Sequence, residues 1–152
     1  MCGDNLMKKC VFCKLSNGEI PSSKIYDSDK IMGFLDIAPA NKGHVLIIPK
    51  KHYKTFIDIP EEELKEIMIL AQKIAKAVIC LKVDGKKVGG YNLLINNGAV
   101  AGQLIEHVHI HIIPRFIGDG INIGWPLLNG YNKEENEIEK YRKCYEEKLN
   151  EY

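Results

Sequence analysis

The sequence predicts an α+β fold: an antiparallel sheet with one long helix on one face. Three observations lead there. Residues 58–81 place Leu64, Ile67, Met68, Ala71, Ile74, Ala75 and Val78 at helical spacing, which makes one apolar stripe. Residues 106–115, Glu-His-Val-His-Ile-His-Ile-Ile-Pro-Arg, alternate with the period of a strand. The chain order is strands, one long helix, then strands again.

Composition bounds the rest. At 152 residues the chain is long enough for one domain with a real core. Hydrophobic residues are 45% and charged residues 27%, with a formal charge of +1. No large basic field favours nucleic acid as a partner. No apolar run approaches the ~20 residues that span a bilayer, so no membrane partner is expected. The first residues, Met-Cys-Gly-Asp-Asn, lack the apolar segment of a signal peptide. Cys2, Cys10, Cys13, Cys80 and Cys144 are odd in number and scattered. That argues against a disulfide framework and for a reducing, cytoplasmic setting.

In order, residues 1–9 are polar and expected to be flexible. Cys10-Val-Phe-Cys13 leads into a short N-terminal helix over 14–17, stopped by Gly18. Residues 24–28 and 30–36 read as two strands joined tightly at Asp27-Ser28-Asp29. Pro39 to Gly43 makes a turn, and 44–49 is a buried third strand. The long helix has Pro60 in its first turn, then Glu61, Glu62 and Glu63 at the positive end of its dipole. Residues 82–90 read as a loop, 91–96 as a fourth strand, Asn97-Gly98 as a turn, and 99–103 as a loop feeding the fifth strand. After Arg115, Gly118-Asp-Gly120 and Gly124-Trp-Pro126 look irregular. Residues 134–150 read as a charged helix with Ile138, Tyr141, Tyr145 and Leu149 along one side, docked on the domain or on a partner subunit. The expected organisation is a domain over 10–126 and a helical extension over 127–152.

Three of the five histidines, His107, His109 and His111, fall in five consecutive positions. A row of imidazoles adds little stability, so it looks placed for chemistry. At ~3.3 Å per residue, His107 and His111 are ~13 Å apart along the backbone. A zinc–nitrogen bond is only ~2.1 Å, so the row splits between jobs. Cys10-x-x-Cys13 is half of a metal site and needs two more ligands. His52 and His107 are the best candidates, and a closed Cys₂His₂ site would be structural. That leaves His109, His111 and His44. A neutral imidazole is a competent nucleophile, and a neighbouring one can grip a phosphate oxygen. The approach Asn97-Gly98-Ala-Val-Ala-Gly102-Gln103 adds backbone donors that can come close to an anion.

These residues resemble the histidine triad (HIT) family, whose mark is His-φ-His-φ-His-φ-φ with φ apolar, here His107 to Ile113. The likeness runs from Cys10 to about Arg115 and includes Gly18-Glu-Ile-Pro21, Phe34-Leu-Asp-Ile-Ala-Pro39, Gly43-His-Val-Leu-Ile-Ile-Pro-Lys50, His52, Asn96-Asn-Gly98 and Gly102-Gln103. It looks closest to the Hint-like branch with a CxxC zinc site. The resemblance implies a HIT-like fold with a five-stranded antiparallel sheet, usually as a homodimer whose sheets join across the subunit boundary. It implies a nucleoside 5′-phosphate substrate, a purine one by family likeness, carrying a leaving group on the α-phosphorus. His109 would attack and form a nucleotidyl-histidine, with His111 on the phosphate and His44 in support. Asp36 would hold the ribose; Phe12, Leu15, Leu35 and Ile37 would line the base pocket; Asn96, Gly102 and Gln103 would approach the phosphate. Cys10, Cys13, His52 and His107 would hold structural zinc, with no catalytic metal.

Some features depart from the family. Leu104 stands where many members have Ser after Gly-Gln, beside the nucleotide; the 82–90 loop looks longer than usual; the 131–152 tail lies outside the family core. The favoured reading is a nucleotide hydrolase working through His109. A nucleotide-binding regulatory or scaffold protein is the alternative, and the geometric split argues against a metal hydrolase that uses the whole row as ligands.

Overall fold

The central strand explains why the sheet has two cores. Val45–Pro49 is apolar at every position and buried at every position, as a run without alternation requires when both faces are covered. In the computed structural model, which describes residues 9–123 and 135–151, this strand is β3. Before it come helix α1 (Val11–Ser16) and strands β1 (Lys24–Asp27) and β2 (Ile31–Leu35). After it come a 3-10 turn (Phe56–Asp58), helix α2 (Glu61–Ile79) and the short strands β4 (Lys82–Val83) and β5 (Lys86–Lys87). Strand β6 (Gly90–Ile95), a second 3-10 turn (Ala99–Ala101), strand β7 (Ile110–Arg115) and helix α3 (Glu135–Leu149) complete the order. The five-stranded sheet runs β1-β2-β3-β7-β6, antiparallel throughout.

Helix α2 covers one face. Its Ile67, Leu70, Ala71, Ile74 and Val78 pack with Ile31, Val45, Ile47, Ile110 and Ile112 of the sheet. Met68, expected in the stripe, is partly exposed instead, and Leu70 takes the buried position. The helix also starts later than 58. Pro60 is extended, and residues 56–58 close their own turn, where Thr55 N–H donates to Asp58 Oδ2 at 2.8 Å. The other face is covered by α1, whose Phe12 and Leu15 pack on Met32, Phe34, Leu46 and Ile48.

Two further expectations need correction. Residues 82–90 hold a small hairpin, β4 paired with β5, turned by Asp84 (φ 51°) and Gly85 (φ 77°). Two consecutive left-handed residues match the right-handed twist of the flanking strands. The histidine strand is also shorter than its alternation. Ladder pairing begins at Ile110, opposite Ile47 and Ile95. Ahead of it the Val108 N–H donates to Tyr53 O at 2.8 Å, which ties 107–109 to the segment after β3.

The chain folds as two compact units, one through Ile121 and one from Asn122. The second unit contains α3, on which Arg142 pairs with Glu139 and Glu146, while Ile138, Tyr141, Tyr145 and Leu149 are exposed. Residues 1–8, the Gly124-Trp-Pro126 segment and the expected boundary at 126 lie outside the described residues. No helix among the described residues is long and apolar enough to cross a membrane.

Candidate active site and metal centre

Four ligand-type side chains from three parts of the chain meet under the histidine segment. Cys10 and Cys13 come from the start of α1, His52 from beyond β3, and His107 from the approach to β7; one ligand atom of each lies within 4.8 Å of all the others. His107 Nδ1 is 3.4 Å from Cys10 Sγ and 3.5 Å from Cys13 Sγ, and His52 Nδ1 is 3.3 Å from Cys13 Sγ. Sulfur and nitrogen ligands on one tetrahedral zinc stand about 3.6 Å apart, so the spacing suits a single ion. His107 is 0% exposed, and its Nε2–H donates to Pro49 O at 2.9 Å, which leaves the Nδ1 lone pair facing the sulfurs. Burial lowers this imidazole to about 4, so it is neutral, as a ligand must be. Burial, then the neighbouring Cys10, pushes the Cys13 thiol up to about 12. It needs an adjacent cation to ionise.

The remaining imidazoles gather on the same face of the sheet. His109 Nδ1–H donates to the carbonyl of His107 at 2.8 Å, which leaves Nε2 as the basic nitrogen. The His109 ring stands edge-on to His111 with centroids 4.8 Å apart, and Phe12 packs against it at 5.1 Å. His44 Nε2 lies 3.0 Å from His111 Nδ1, and Asp36 Oδ2 lies 3.3 Å from His44 Nδ1. Asp36, His44 and His111 also have ligand-type atoms within 4.8 Å of one another, but the facing nitrogens of the two rings are engaged with each other. Burial lowers His44 and His109, and lowers His111 to about 4, so all three rings are neutral near pH 7.

The expected nucleotide residues divide by position. Phe12 and Leu15 are buried on the histidine face, and Phe12 meets Phe34 edge-on at 5.9 Å. Leu35 sits apart from them. Strand alternation turns it to the α2 face, 40% exposed, where it lines a groove with Ile25, Val45, Leu70 and Ile74. Phe34, 4% exposed, is the residue of this strand that packs on the histidine side. The period-two pattern Met32, Phe34, Asp36 carried that signal. Ile37 and Leu104 are almost wholly exposed, at 96% and 94%. Asn96 Nδ2 donates to Gly102 O at 3.4 Å, and Gly102 adopts φ 86° at the end of the 3-10 turn, where a side chain would be strained. The Gln103 side chain is buried; it accepts from Gly98 N–H at 2.7 Å and donates to Lys54 O at 2.6 Å, which fastens the loop.

Comparison with known proteins decides the family. The HIT domain family matches residues 17–118. A HIT-like protein of Methanocaldococcus jannaschii is 50% identical over 111 residues, 73% of this chain and 82% of that protein. The chain belongs to the HIT family. An adenosine 5′-monophosphoramidase of Saccharomyces cerevisiae is 40% identical over 141 residues, 92% of this chain and 80% of the relative. Among solved structures, a histidine triad nucleotide-binding protein from Candida albicans superposes with a TM-score of 0.78 at 35% identity, covering 94% of this HIT chain and 99% of that one. A zinc-bound histidine triad family protein from Mycobacterium smegmatis gives 0.69 at 35% identity, covering 77% and 82%. Family membership and these relatives support nucleotide hydrolase activity.

Proposed function

We propose that this HIT protein cleaves the bond between the α-phosphorus of a purine nucleoside 5′-phosphate and its leaving group, by way of a nucleotidyl-histidine on His109. The observation that carries the reading is the His109 tautomer. Nδ1 is committed to the His107 carbonyl, so the Nε2 lone pair is the one available to attack. In the first step Nε2 bonds to phosphorus, and the bond to the leaving group breaks with its electron pair going to that group, which takes up a proton. In the second, water attacks phosphorus, the P–N pair returns to Nε2, and nucleoside monophosphate leaves. The Asn96–Gly102 loop and His111 are the donors for the phosphoryl oxygens. Phe12, Leu15 and Phe34 form the floor under the base, with Ile37 at its rim. Leu104 stands beside the leaving group. Asp36 takes the ribose hydroxyls.

Zinc held by Cys10, Cys13, His52 and His107 would be structural, since four protein ligands close its coordination. It would tie α1 to the sheet. We also propose a homodimer through β6. That edge strand pairs only with β7 among the described residues, and its exposed Tyr91 and Leu93 lie on the α2 side, opposite Pro114 and Ile112. A free edge of this kind invites continuation into a second sheet.

The deciding experiment offers adenosine 5′-phosphoramidate, a dinucleoside polyphosphate and adenosine 5′-phosphosulfate in parallel, follows AMP release, and acid-quenches samples for intact mass. Metal-independent turnover with a covalent adenylyl adduct on the His109 peptide is the expected outcome. AMP binding with negligible turnover of every substrate would favour a regulatory nucleotide-binding protein instead.

A further inference from the structure

Asp119 is the most heavily bonded carboxylate among the described residues, and no step of the proposed reaction uses it. The Arg115 guanidinium grips it twice, Nε to Oδ2 at 2.7 Å and Nη2 to Oδ1 at 2.9 Å. The backbone N–H groups of Phe116 and Ile121 each donate to it at 3.1 Å. Gly118 (φ 75°) and Gly120 (φ 72°) bend the chain tightly enough for both to reach it. Its side chain is 8% exposed. The Arg115 bond, then the Phe116 N–H, holds the carboxyl well below the usual carboxylate range, so it stays charged. The arginine is fixed in turn, since its Nη1 donates to Asn92 Oδ1 on β6 at 2.8 Å. The fifth donor to Asp119 comes from far off in the chain. Asn41 Nδ2 reaches Asp119 Oδ2 at 3.1 Å and Pro114 O at 3.0 Å.

Asn41 belongs to the loop that runs from Asp36 to His44. The backbone closes the neck of that loop, with Asp36 N–H donating to His44 O at 3.0 Å. His44 N–H donates to Asn41 O at 3.1 Å, so neck and Asn41 share one turn. Asp36 Oδ1 accepts from Ala38 N–H at 2.9 Å, and the course of the loop backbone thereby sets the carboxylate. Between Ile37 and Gly43, two side chains reach beyond the loop by hydrogen bond or ion pair among the described residues. Lys42 pairs with Asp84, but both are more than half exposed, and such pairs hold little. Asn41 is the other, and it ends on a carboxylate that is itself immobilised.

We infer that Asp119 and Asn41 are positioning residues for nucleotide recognition: Arg115 fixes Asp119, Asp119 fixes Asn41, and Asn41 sets the 36–44 loop so that the Asp36 carboxylate faces a ribose. Of these groups Asp36 alone touches the nucleotide. Its contact with the ribose hydroxyls belongs to the proposed function, and the assignment rests on it; the chemistry at His109 does not enter. An Asp119 that was structural only would brace the end of β7 and go no further. The two roles part at Asn41. Asn41→Ala keeps both Arg115 bonds and both backbone bonds to Asp119, and removes the side-chain tie to the loop.

The test measures binding of AMP and of 2′,3′-dideoxy-AMP to the full chain by calorimetry. Ribose hydroxyls that donate to a carboxylate should make the wild-type chain prefer AMP by about 10- to 100-fold, and Asp36→Ala should abolish the preference. Asn41→Ala is expected to cut the preference about 5- to 10-fold while weakening dideoxy-AMP binding by less than about 2-fold. Asp119→Asn should act in the same direction, because a neutral amide cannot accept from five donors. Combining the two should cost no further preference, as expected for groups acting in series. An Asn41→Ala chain with the wild-type preference overturns the inference, even if Asp119→Asn lowers the melting temperature. Equal binding of both nucleotides by the wild-type chain overturns it too. If Asp119→Asn does not fold, Asn41→Ala decides alone. A preference that Asn41→Ala erodes, without turnover of any substrate, would leave the inference standing and remove the hydrolase reading. Turnover that depends on His109, with no preference between the two nucleotides, would do the opposite.

Discussion

Two imidazole clusters share one short segment of chain and are built in opposite ways. In the Cys10–Cys13–His52–His107 cluster each ring nitrogen of His107 is engaged, Nδ1 with sulfur and Nε2 with the Pro49 carbonyl, and the side chain has no exposure. In the His44–His109–His111 cluster, His109 and His111 each have one nitrogen fixed and one left over, Nε2 in both. Full engagement makes a brace. Partial engagement makes a site that waits for a ligand. The residue type is the same in both, so the difference comes from what the second nitrogen meets.

The largest expected effect separates the two by function. His109→Ala should lower AMP release from adenosine 5′-phosphoramidate by about 10³-fold or more, since a nucleophile acts as a unit with its neighbours. Bound metal and melting temperature should stay near wild type; loss of metal in this variant would break the division. Cys13→Ala is the converse. It removes a buried ligand, and we expect a metal stoichiometry near zero and a loss of about 3 kcal/mol or more in denaturant unfolding. An unchanged unfolding midpoint would deprive the first cluster of its bracing role.

The two sides of β2 give a sharper, smaller comparison. Phe34→Ala empties a buried site under the proposed base pocket and should cost about 3 kcal/mol or more while raising KM. Leu35→Ala, on the half-exposed far face, should cost under about 1 kcal/mol and leave KM unchanged. Equal effects on KM would place the base elsewhere.

A further effect appears in acid. His44 and His111 are held below the ordinary histidine value, so between about pH 6.5 and 4 the unfolded chain binds more protons than the folded one. Their contribution to stability is present above pH 6.5 and is lost as pH falls through about 4. For His111 this amounts to about 3 kcal/mol, since one pKa unit corresponds to about 1.4 kcal/mol. Urea unfolding of His111→Gln against wild type across that range should show the gap narrowing toward acid.

Much of this was legible in the residues. The unbroken apolar run at 45–49 foretold a strand covered on both sides, and a CxxC with only five histidines to complete it pointed to the four side chains that meet. Other features were legible but easy to misread. Asp84-Gly85 is a hairpin turn signal inside a lysine-rich stretch that otherwise reads as loop. The alternation through Met32, Phe34 and Asp36 already put Leu35 on the face opposite the histidines. The end of the β7 ladder was not legible, because Val108 pairs with Tyr53 O, more than fifty residues away in sequence.

His107 has a consequence for how such a protein can change over time. Its side chain belongs to the Cys10–Cys13–His52 cluster, while its carbonyl accepts from His109, the proposed nucleophile. Under the proposed function, heat resistance and turnover therefore meet in one residue. A lineage that gave up the metal could not simply refill that corner with apolar groups. It would have to hold the 107 carbonyl within hydrogen-bond reach of His109 by some other packing, or accept a slower enzyme.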